Sequence, residues 1–96
     1  MKLYRTKEGV KLYPVCKWEP NQHKIYNASD RRYNYLYDLI DAGAPSDEIE
    51  KADQAFQEAQ ELIEVFDRYI IDGMVYAPYN DYLKIRDIIA AYNARH

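Results

Sequence analysis

The chain has few of the residues that staple or articulate a fold. One cysteine, Cys16, forms no internal disulfide, and with His23 and His96 far apart in sequence it makes no structural zinc site. Three glycines are too few for a phosphate-cradling loop. The chain also has no His-x-x-x-His or Cys-x-x-Cys pair and no Gly-x-Ser-x-Gly elbow. Cys16 and His23 lie seven residues apart, which is thin support for a nucleophile and base. Glu61, Glu64 and Asp67 share a helix face, but one helix rarely converges enough oxygens to hold a cation. No catalytic residue, metal site or cofactor is therefore expected, and the chain reads as a non-enzyme. No apolar run approaches the roughly 18 residues a membrane span needs. The start, Met1-Lys2-Leu3-Tyr4-Arg5, lacks the apolar stretch of a secretion signal, so the expected location is the cytoplasm, away from membranes. Without such a signal, Asn27-Ala28-Ser29 carries no weight as a glycosylation acceptor.

What is present is an ordinary globular balance, 48% hydrophobic and 30% charged, with an unusual eleven tyrosines. At 96 residues it suits one domain spanning 1–96 and excludes a second. The net charge of −3 conceals a polarity. Residues 1–32 sum to +5, residues 33–46 to −2, residues 47–67 to −7 and residues 68–96 to +1.

The pattern predicts an α+β fold, a small antiparallel β-hairpin or three-stranded sheet packed on three helices with a long acidic middle helix. Residues 1–26 read as the β-rich, basic and aromatic part. Leu3–Thr6 and Val10–Tyr13 flank a turn at Gly9, Pro14 stops the second run or marks an edge, Trp18–Gln22 is a turn, and His23–Tyr26 is a third strand. A first helix is expected over 29–42, capped by Ser29, stopped by Gly43 and burying Tyr33, Leu36 and Ile40. Ser46 caps a second helix over 46–71, where Ile49, Ala52, Phe56, Ala59, Ile63, Phe66 and Ile70 repeat at spacings of 3 and 4. The three-residue connection makes these helices antiparallel neighbours. Gly73 ends the second, Met74–Tyr76 forms a short strand, and a last helix covers 80–94 behind an Asn80 cap. At about 1.5 Å per residue the middle helix is about 38 Å long. Its alanine-rich N-terminal end, Ser46 to Gln54, is expected to overhang the body.

Two surfaces carry functional expectations. The first joins Asp47, Glu50, Asp53, Glu58 and Glu61 with Tyr35, Tyr37 and Tyr79, because exposed tyrosine suits interface hot spots and a rod of carboxylates suits a basic partner. Tyr33, Tyr35 and Tyr37 alternate on a helix, so at least one ring faces out. This predicts a protein-binding module or inhibitor, a nucleic-acid mimic whose carboxylates occupy the phosphate channel of a nucleic-acid enzyme. By size and charge alone it looks like the phage-borne inhibitors of bacterial defence nucleases, the anti-CRISPR class among them. The second surface interleaves Arg5, Lys11, Trp18, Lys24 and Arg32 with tyrosines and predicts single-stranded nucleic-acid binding. A third expectation is a structural homodimer using the long apolar stripe, the chain otherwise being a monomer.

Overall fold

The computed structural model describes residues 4–96. It is an α+β fold of three helices and four antiparallel strands. In chain order these are β1 (Tyr4–Arg5), β2 (Lys11–Lys17), α1 (Trp18–Asp41), α2 (Ser46–Arg68), β3 (Ile70–Ile71), β4 (Met74–Ala77) and α3 (Tyr79–Arg95). The sheet order is β1-β2-β4-β3. Leu3, where the first expected strand begins, lies outside the described residues.

The first hairpin forms as the turn chemistry predicts, with Tyr4 opposite Leu12 and Gly9 at φ 85°. The second run does not end at Pro14 but continues to Lys17 beside β4. Pro14 is tolerated because the register shifts between Pro14 and Cys16, and a bulge is one of the few places a residue without an N–H fits. Within it, the consecutive residues Val15 and Cys16 both pack against the core.

The turn and third strand expected over 18–26 are instead the first turns of α1. Pro20 is the third helical residue, where its missing N–H would have no intrahelical partner anyway. The Trp18 N–H donates to Gly73 O at 2.8 Å, which ties the helix start to the sheet. Ser29 is therefore no cap; it sits mid-helix, buried, and its Oγ accepts from Gln60 Nε2 of α2 at 2.8 Å. Gly43 ends α1 as expected, at φ 68°. The Gly43 N–H donates to Ile40 O and the Ala44 N–H to Leu39 O, the two bonds of a Schellman motif.

Ser46 and Asn80 give no side-chain cap, since Pro45 and Pro78 hold the cap positions. The middle helix stops at Arg68, three residues early. Asp72 and Gly73 both take positive φ, 52° and 77°, forming a two-residue turn of the I′ kind between β3 and β4. That turn pulls Ile70 out of the heptad pattern and into an exposed strand.

The main core joins Ile25 and Ala28 of α1, Leu62 and Phe66 of α2, Val75 and Ala77 of β4, and Ile85 and Ile88 of α3. It lies under the C-terminal half of α2, as the distribution of alanines predicts. Leu36 and Ala52, buried further along the helical pair, lie outside this cluster. The extents of 52 × 32 × 16 Å and a radius of gyration of 15.2 Å, against about 13 Å for a compact chain of this size, describe an elongated body. The α1–α2 hairpin over residues 33–56 is an arm projecting from it.

Candidate functional site

The arm carries six carboxylates (Asp38, Asp41, Asp47, Glu48, Glu50, Asp53) against Lys51, a net −5 that leaves +2 for the rest of the chain. Its aromatic residues do not fold inward. Tyr33, Tyr35 and Tyr37 are exposed by 45, 60 and 47%, and Ile40 by 46%. Leu36 alone of the expected inner face of this segment is buried, because α2 covers a narrow stripe of α1 here and no third element covers the rest.

At 100° per residue the exposed rings divide between two sides of the arm. On one side, Tyr33 packs edge-on against Phe56 with centroids 5.4 Å apart and lies 4.6 Å from Tyr37. The strip continues into an open groove of about 600 Å³ lined by Leu36, Tyr37, Ile40, Ala44 and Ile49, with Glu50 and Asp53 at its rim. The Tyr37 hydroxyl, hydrogen-bonded to Tyr33, raises the Tyr33 pKa above its ordinary 10.0, with charge repulsion between the phenolates and slight desolvation adding to it. Tyr33 thus stays a neutral phenol at physiological pH. On the other side, Tyr35 lines a separate groove with Arg31, Asp38, Glu48, Lys51, Ala52 and Ala55.

The expected partner-binding residues separate accordingly. Tyr37, Glu50 and Asp53 come together, and Tyr35 lies on the opposite side. Tyr79 is on the body, 5.4 Å from Tyr13 and 6.0 Å from Tyr82. Glu58 is already held, 3.7 Å from both Arg32 Nη1 and Lys84 Nζ. Asp47, Glu50, Asp53 and Glu61 form no ion pair among the described residues, although Asp53 accepts a bond from Gln57 Nε2 at 3.0 Å. Helical spacing places Glu50, Asp53, Gln57, Glu61 and Glu64 along one stripe of α2. The convergence of Phe56 and Ile49 with the tyrosines was not anticipated. Both sit in the heptad pattern and read as core, whereas the structure leaves them half-buried.

The basic set does not assemble. Arg5 Nη1 donates to Gly9 O at 3.1 Å, Lys11 sits over the Tyr13 ring, and Trp18 Nε1 donates to Asp67 at 2.9 Å. Lys24 Nζ reaches Asn93 on α3 at 2.9 Å, and Arg32 Nη1 donates to Ala55 O at 2.7 Å. Each side chain is committed to a neighbour of its own, and the set is spread over β1, β2 and the length of α1. Nor do Cys16 and His23 form a pair. The His23 ring packs on Tyr92, and burial raises the Cys16 pKa above 9.0 despite the opposing pull of Lys24. Among the described residues no group of three or more His, Cys, Asp or Glu is placed to hold a metal ion, and no helix is long and apolar enough to cross a membrane.

No family model, curated protein or solved structure matches this chain.

Proposed function

We propose that this chain is a non-enzymatic protein-binding module whose arm docks a partner surface that is basic at its edges and apolar at its centre. The observation that carries this reading is the strip in which Tyr33, Tyr37 and Ile40 are exposed beside a half-buried Phe56, bordered by Glu50 and Asp53, which form no ion pair among the described residues. Aromatic rings with few rotatable bonds contribute buried area at small entropic cost, and unpaired carboxylates at the rim raise the association rate with a cationic partner. The phosphate channel of a nucleic-acid enzyme is one such basic surface. A module bound there would act as an inhibitor, the carboxylate stripe of α2 standing where phosphates run.

The test is capture from lysate by the tagged chain, with and without nuclease treatment, repeated with Glu50→Lys/Asp53→Lys and with Tyr37→Ala/Ile40→Ser. Capture of a basic protein that survives nuclease and is lost in both variants, each melting near the parent temperature, is expected. Capture that disappears on nuclease treatment would instead support the nucleic-acid reading. Capture unaffected by both variants would remove the arm from the interface.

A further inference from the structure

We propose that the notch where α1 and α3 pack together is a binding site for a small phosphate dianion, either inorganic phosphate or a phosphomonoester. The notch has a volume of about 110 Å³ and is lined by Ala28, Arg31, Arg32, Ile88, Ala91 and Arg95. Three guanidinium side chains border one cavity and no carboxylate does. The chain as a whole is acidic, with sixteen acids to thirteen bases, so this cluster runs against its net charge. Arg31 and Arg95 nonetheless form no ion pair among the described residues.

Arg32 is fixed before any ligand arrives. Its Nη1 donates to Ala55 O at 2.7 Å and lies 3.7 Å from Glu58 Oε1. An adjoining hollow shares Arg32, Ile88 and Ala91 and adds Glu58, Lys84 and Asp87. Across both, four cations face two carboxylates, so the local charge is +2 and a dianion neutralises it. Guanidiniums gathered without an anion repel one another, and an oxyanion converts that repulsion into charge-assisted, bidentate hydrogen bonds. The small side chains of buried Ala28 and exposed Ala91 leave room in the notch for a tetrahedral group. No aromatic ring lines the notch, so nothing there stacks on a base. Arg31 and Arg32 also line the Tyr35 groove of the arm, whereas the strip of Tyr33, Tyr37 and Ile40 lies on the arm's other side.

Calorimetric titration of the full chain at constant ionic strength with inorganic phosphate, sulfate, O-phosphoserine and a ten-nucleotide single strand tests this. One saturable site is expected for phosphate and O-phosphoserine, weakened at least tenfold by Arg31→Gln or Arg95→Gln and unchanged by Arg86→Gln. Arg31 and Arg95 are exposed, so both variants should melt as the parent does. Because the second ionisation of a phosphomonoester lies near about pH 6, O-phosphoserine binding should weaken severalfold between pH 7.5 and 5 while sulfate binding does not. Non-saturating heats, equal loss in Arg86→Gln, or binding of the oligonucleotide alone would each overturn the proposal.

Discussion

Gln60 Nε2 of α2 donates to Ser29 Oγ of α1 at 2.8 Å, and this bond crosses the helical interface at the point where the body gives way to the arm. Ser29 is only 4% exposed, whereas Gln60 is open to water. The pair therefore behaves asymmetrically. Ser29→Ala leaves Gln60 free to turn toward solvent and gains helix propensity, so its cost should stay within about 1 kcal/mol. Ser29→Asp places a carboxylate in the interface and should cost more than about 3 kcal/mol. A helix-capping serine would show the opposite preference, accepting aspartate and losing about 1 kcal/mol with alanine. Thermal melting of the two variants separates these roles.

The Asp72–Gly73 turn sets where α2 stops. Gly73 at φ 77° lies where an L side chain is strained, although a Cβ there would meet no atom within 4 Å. Gly73→Ala should therefore cost about 1–2 kcal/mol through backbone conformation alone. Asp72 has a positive φ of 52°, which Asn adopts as readily, so Asp72→Asn should lie within about 0.5 kcal/mol of the parent. Chemical denaturation measures both. Equal losses would mean that the Asp72 carboxylate, not the turn geometry, holds the hairpin.

Cys16 links stability to alkaline pH. Burial favours its neutral thiol and Lys24 only partly opposes this, so the folded pKa stands above the ordinary 9.0. The fold consequently holds this proton more tightly than the unfolded chain does. The resulting stabilisation is complete below pH 9 and is lost as pH rises through the folded value. The unfolding free energy of wild type relative to Cys16→Ala should decline above pH 9 and be flat between pH 6 and 8. Iodoacetamide should also alkylate Cys16 more slowly in the folded protein than in urea. Faster alkylation when folded would contradict the burial.

What the sequence discloses and what it withholds follow from the range of the forces involved. The start of α2 at Ser46, the glycine stop at Gly43 and the hairpin turn at Gly9 are local, and each appears where spacing and turn chemistry place it. The start of α1 is hidden because Pro20 reads as a breaker unless one knows that it occupies the first turn, and Ser29 then takes over the cap by default. The Asp72–Gly73 pair is itself a strong hairpin signal, obscured by a heptad pattern that runs through Ile70 into the strand. At the candidate site, the acidity of 47–67 and the outward tyrosines are legible, but their assembly is not. Which of Tyr35 and Tyr37 joins Glu50 depends on how the two helices rotate against each other, and the buried positions Leu36 and Ala52 mark the outcome. Glu58 shows the same limit, since its partner Lys84 lies 26 residues away on another helix.

Leu36 and Ile40 stand four residues apart on α1 and differ sharply in environment, at 7 and 46% exposed. The contrast predicts unequal consequences. Leu36→Ala should cost about 2–4 kcal/mol by opening a cavity against α2, whereas Ile40→Ser should cost less than about 1 kcal/mol. Equal losses would mean that Ile40 is covered in solution by something absent from the isolated chain, and a second copy is the simplest cover. That case has its own signature. The melting temperature of the parent would rise with protein concentration, because association stabilises the fold by mass action, and Ile40→Ser would abolish the rise. A melting temperature independent of concentration, together with a small Ile40→Ser cost, leaves the strip from Phe56 to Ile40 free in the monomer, which is the condition the proposed docking requires.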